Sequence, residues 1–206
     1  MIITNHGTIT HHGKITHHGK MKPDGFARRV ATGLSILSLS LFFGLLRSQN
    51  IHPDADPDAG FLHAASAAQM GELRLAQLAQ KQGMSEAIKQ FANRVANDEA
   101  KAGDDLKALS SQTGMPLAKS YNAKDGAYYD TLAGLSGTSF DGVYISAMVT
   151  DHREDIAAFQ KEADGGKNAM LKDYASRSLP ILQEHLKLAE DAANQLGVNP
   201  TKTGGR

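Results

Sequence analysis

The sequence predicts an all-α protein: four long helices arranged as two hairpins, with a long crossover between the second and the third. Three observations predict it. Apolar residues recur at spacings of three and four over four long segments, the period of a helix with one buried face. Aromatic residues make up only 6% of the chain and Trp is absent, which suits a small-residue helical core better than strands rich in aromatic and β-branched side chains. Glycines interrupt the pattern between the first two segments and between the last two, and short links of this kind make antiparallel hairpins.

The chain of 206 residues suits one domain with appendages. Residues 2–20 repeat Ile-Thr-His-His-Gly-Lys almost perfectly. Such tracts can bind metal, but Met21 follows at once and opens "MKPDGFARRVATGLSILSLSLFFGLL". Arg28 and Arg29 precede an uncharged apolar run from Val30 to Leu46, the layout of an export signal. Residues 1–20 therefore read as a His-rich stretch upstream of a start at Met21, and residues 21–50 as a signal peptide or signal anchor. The run is at the short limit for a membrane span, and no good small-x-small cleavage site follows it. Residues 30–46 are thus the route to a membrane if they are retained. The body is expected in the periplasm, free or anchored. Residues 51–59, from "IHPDADPDAG", read as a Pro/Asp linker, and residues 199–206 as a flexible tail.

The bundle is expected over residues 60–198. The first helix, about 60–82, carries Phe61, Ala65, Ala68, Glu72, Leu75 and Ala79 along its seam and stops at Gly83. The second, about 84–110, has Ser85 as N-cap and a seam of Ile88, Phe91, Val95, Asp98, Ala102, Leu106 and Leu109. The third, about 138–164, is capped by Thr138 or Ser139, with Asp141 favouring its positive end. Ile145, Val149, His152, Ile156 and Phe159 form its seam, with Asp151 on the adjoining edge. The fourth, about 167–195, contains Pro180, which predicts a kink, and its seam includes Leu171, Tyr174, Leu182, His185 and Leu188. The connection between the second and third helices is long. Its stretch "DGAYYDTLAGL" is a candidate short helix, and its tyrosines are expected to dock the crossover. Two hairpins with one crossover is the ferritin-like plan.

Several function classes fall away. There is no Cys, so disulfides, thiolate metal sites and cysteine catalysis are excluded. The net charge is zero, but residues 1–50 hold six basic residues and one acidic, leaving 16 basic and 21 acidic beyond them. A mildly acidic body without a basic stripe argues against nucleic acid. Phosphate loops, nucleophile elbows and the His-Glu-x-x-His zinc motif are missing.

Each seam carries an ionisable residue near its middle: Glu72, Asp98, His152 and His185. Helices of similar length bring their midpoints into one layer, so a polar layer is expected across the bundle. The stretches "FLHAASAAQMGELRLAQLA", "FANRVANDEAKA", "SGTSFDGVYISAMVTDHREDIAAF" and "LPILQEHLKLA" resemble an exported bacterial family catalogued as a domain of unknown function. Its members are labelled outer-membrane or membrane proteins and placed in the ferritin-like superfamily. The resemblance covers about residues 58–195 and implies a ferritin-like bundle in the periplasm, without an established activity. Many relatives read Asp-His where this chain has Asp98-Glu99.

Two readings of the layer stand. In one, the protein is a non-enzymatic envelope or stress-related protein, and the layer is an internal network of carboxylates and imidazoles. Neighbouring carboxylates would then raise the His pKa values, and Glu72→Ala would cost about 1–3 kcal/mol by orphaning a buried partner. In the other, a metal-binding or redox protein, Glu72, Asp98 or Glu99, His152 and His185 hold one Fe, Mn or Zn ion, with Asp151 or Glu184 supporting from outside the ligand set. A dimetal oxidase is disfavoured: such sites need two Glu-x-x-His pairs, and Val149 and Leu182 stand where those carboxylates belong.

Overall fold

Asp56 caps the first helix. Its side chain accepts the Asp58 amide, and Pro57 takes the first helical position, where a missing N–H is no loss. In the computed structural model, which describes residues 56–200, α1 therefore runs Pro57–Gln82. It starts earlier than the expected residue 60 because the Pro/Asp stretch supplies a helix start. α2 is Glu86–Thr113, with Ser85 accepting the Ile88 amide as predicted. Gly114 closes it at φ 72, the left-handed conformation that glycine adopts without strain. The short helix of the crossover is α3, Ala123–Ala133, capped by Asn122. α4 is Gly137–Gly165 and α5 is Ala169–Gln195. Ser136 precedes α4, with Gly137 at φ 59 as its first residue, so neither Thr138 nor Ser139 caps it. Pro180 lies within α5. The His repeat, the start at Met21, the export segment, residues 51–55 of the expected linker and residues 201–206 lie outside the described residues. No helix among the described residues is long and apolar enough to cross a membrane.

The fold is the expected all-α, ferritin-like bundle: α1 pairs with α2, α4 with α5, and α3 lies in the crossover. The apolar core is split into two. One half gathers Leu75, Ile88, Phe91, Phe140, Tyr144 and Met148. The other gathers Leu62, Leu106, Phe159, Leu171, Tyr174 and Leu182. The polar layer lies between them, at mid-helix, as the seams predict.

The two hairpins are copies of one plan. Residues of the second stand 83 positions after their counterparts in the first: Leu62 and Ile145, Gly83 and Gly166, Ile88 and Leu171, Phe91 and Tyr174. The caps repeat with the same offset and exchange partners. Buried Asp58, on α1, accepts hydrogen bonds from the Lys167 and Asn168 amides at the α4–α5 turn. Buried Asp141, on α4, accepts them from the Met84 and Ser85 amides at the α1–α2 turn, at 2.9 and 2.8 Å. Asp141 thus serves the other hairpin rather than the start of its own helix. This reciprocity is the mark of a pseudo-two-fold axis, as in an isologous contact between two subunits.

Tyrosines do dock the crossover. The Arg74 guanidinium lies 3.7 Å from the Tyr129 ring centre and 4.7 Å from that of Tyr121, and it donates to the Tyr121 hydroxyl. Lys124 pairs with Asp151 at 2.8 Å. Between these contacts, burial and then the Asp151 charge push the Asp125 carboxyl up to about 7. A raised carboxyl favours the fold when protonated. Its contribution is complete below the unfolded value near 4 and is lost as pH rises to about 7. Asp125→Asn is therefore expected to flatten the decline of stability between about pH 4 and pH 7. Urea midpoints across that range in both proteins check this, and an unchanged slope would refute it.

Candidate functional site

The central layer divides into groups that are paired and groups that are not. Asp98 stands on the outer edge of α2. It accepts from Arg94 and Lys101, and its Oδ2 is 3.1 Å from His185 Nε2. Burial pushes its carboxyl up, but these hydrogen bonds outweigh it and the net shift is downward. Glu184 is half-exposed and pairs with Arg94, and Asp151 belongs to the Lys124 contact with α3. Asp98, Asp151, Glu184 and the Nε2 face of His185 are thus committed to structural pairs.

Glu72, Glu99, His152 and Asp155 are different. Glu72 is 3% exposed, and neither of its oxygens receives a hydrogen bond from any N–H or O–H. Its neighbours are the Glu99 and Asp155 carboxyls, which can bond to it only by carrying a proton. Burial, then the Glu99 charge, raises Glu72 well above the usual carboxylate range. Burial, then Asp155, lifts Glu99 to about 8. Burial, then Glu72, lifts Asp155 to about 9. The His152 Nδ1 is 2.9 Å from the Met148 carbonyl oxygen, so Nδ1 carries the proton and Nε2 keeps its lone pair. That Nε2 is wholly buried, has no hydrogen-bond partner and lies 3.8 Å from Glu72 Oε2. The rings of His152 and His185 meet edge to face, centres 5.3 Å apart. Burial lowers both histidines, the larger cause in each, so the expected rise from neighbouring carboxylates does not occur.

The seams placed Glu72, Asp98, His152 and His185 in this layer, with Glu99 as the alternative to Asp98; the structure buries Glu72, Glu99, His152 and His185 and leaves Asp98 at the edge. On α2 the buried carboxyl is Glu99, while Asp98 is part-buried at the edge and reaches in only to His185. The structure also adds Asp155, which stands three residues after His152 and so on the same helical face. The signal lies in "HREDI": a carboxylate three residues after a His shares its face just as one three residues before it does. A cavity of about 190 Å³ opens beside the cluster, with Glu72, Glu99, Asp155, Gln69, Tyr174 and Ser178 among its walls. Among the described residues, no three His, Asp or Glu side chains already stand in the arrangement of a formed metal site.

The closed network of the first reading is therefore only half present, and the expected cost of losing Glu72 reverses. A buried carboxyl faced by two others, with no N–H donor and only carboxyls that must take up protons to bond it, opposes folding. Glu72→Gln is expected to raise the stability of the protein in chelator by about 1–2 kcal/mol, measured as the urea midpoint at neutral pH. A lower midpoint would show that the Glu72 carboxyl itself holds the layer together.

A family model described as "Domain of unknown function (DUF4142)" matches residues 46–192. Among solved structures, a Streptomyces coelicolor protein described as secreted, of the DUF305 type, superposes with a TM-score of 0.61. The match covers 70% of this chain and 96% of that one, at 14% identity, a likeness that concerns the fold alone. No curated protein matches the chain.

Proposed function

This chain belongs to the DUF4142 family, and we propose that it is an exported, non-enzymatic protein of the bacterial envelope that binds a small ligand in its central cavity. The observation that carries this reading is Glu72: buried, without a donor, and in the cavity wall. A protein keeps such a group against its own stability when the group serves binding or chemistry. Binding is favoured over hydrolysis, because the cavity hydroxyl of Ser178 gives its hydrogen bond to the Tyr174 carbonyl rather than to a base. Export is supported by the basic and apolar layout of residues 21–46 and by the secreted description of the structural relative.

Cell fractionation followed by native mass spectrometry tests both parts. The chain should be recovered from the periplasm with an added small mass. Ala102→Met, which fills the cavity from its wall, should remove that mass. Retention in the cytoplasm, or a bare polypeptide that takes up nothing from periplasmic extract, would overturn the reading.

A further inference from the structure

We propose that Glu72, Glu99, Asp155 and the Nε2 of His152 form a site for one divalent transition-metal cation of the Mn, Fe or Zn class. This rests on the reading of the cavity as a binding site and names its ligand.

The first argument is symmetry. Glu72 and Asp155 are counterparts, 83 positions apart like the caps, and both line the one central cavity. Counterpart residues come together only near a pseudo-two-fold axis. The bundle therefore places two carboxyls at its centre, one from each hairpin. Glu99 joins them from α2. Three carboxyls around one cavity, two of them buried, need protons or a cation between them.

The second argument is His152, which is independent of the acidic cluster. Its tautomer is fixed by the Met148 carbonyl, the arrangement that orients metal-binding imidazoles. The lone pair this leaves has no partner and faces Glu72. Imidazole with carboxylates suits Mn, Fe and Zn.

The third argument sets the stoichiometry. A fully two-fold site would repeat Glu99 and His152 in the opposite hairpin. Their counterparts are Leu182 and Gln69. Leu182 carries no ligand atom, and Gln69 Nε2 is already donated to the Glu99 carbonyl oxygen at 2.7 Å. One half of a duplicated ligand set remains, enough for one cation beside the axis. The cavity beside the cluster is the way in.

The test uses the full chain with His6, His11, His12, His17 and His18 replaced by Gln, so that the leader does not contribute. Mn²⁺ alone is titrated and followed by loss of the free-ion paramagnetic resonance signal; Fe²⁺ (without oxygen) and Zn²⁺ follow by equilibrium dialysis. One ion per chain is expected for at least one of these metals. Glu72→Gln and Asp155→Asn should each weaken it by about tenfold or more, with circular dichroism unchanged. Asp98→Asn should bind as the parent does. No uptake by folded protein, or uptake indifferent to Glu72 and Asp155, overturns the site. If a small mass is still lost with Ala102→Met, the cavity reading survives and only the cation falls.

Discussion

Gly71→Ala is expected to destabilise the protein by about 3 kcal/mol. A Cβ at position 71 would stand 2.0 Å from Asp125 Oδ2 and 2.6 Å from Asp125 Cβ. The carboxylate can swing away from the first contact. The second belongs to the Cβ of α3, which moves only with its backbone. That backbone is held: Asn122 accepts the Asp125 amide and donates to its carboxylate, while Lys124 ties the same turn to Asp151. Relief therefore requires α3 to lift from α1, and lifting also strains the Arg74 contacts with Tyr121 and Tyr129. Urea unfolding measures the effect. Asp125→Gly, which removes the opposing Cβ, should restore part of the loss in the double variant. A change below about 0.5 kcal/mol, the range of ordinary surface substitutions, would mean that α3 is not tightly seated.

The same region shows what the sequence could and could not reveal. Four helices were legible because the period of three and four persists over each segment, and a central layer was legible because Glu72, His152 and His185 sit at similar depth. Rotation about a helix axis is harder. Asp98 and Glu99 are adjacent, about 100° apart on the helix, and only packing against α1 decides which turns inward. Asp141 illustrates a different limit. Near the start of α4 it reads as a local charge on a positive helix end, yet its partners are Met84 and Ser85. The pKa direction of His152 turned on distance: at 3.8 Å the Glu72 carboxyl does not hydrogen-bond it, and burial prevails. The repeat of the hairpins was hidden because few of its pairs are identical, as Asp58 with Asp141 and Gly83 with Gly166 are; others, such as Phe91 with Tyr174 and Ser85 with Asn168, share only size or capping role.

Asp141→Ala is the second large effect, a loss of about 2–4 kcal/mol, since it orphans two amides that a buried carboxylate now satisfies. Asp141 is 1% exposed, so water does not readily take its place. Asp58→Ala should cost a similar amount, because Asp58 stands in the same relation to Lys167 and Asn168. Asn at either position keeps one acceptor oxygen and should recover roughly half of the loss. The two caps lie at opposite ends of α1, whose 26 residues span on the order of 40 Å, and they share no partner. Denaturation of the double variant should therefore give the sum of the single losses within about 0.5 kcal/mol. A coupling much larger than that would mean that the two hairpins stabilise each other through the carboxylate layer on the axis, and that the ends of the bundle are not independent clamps.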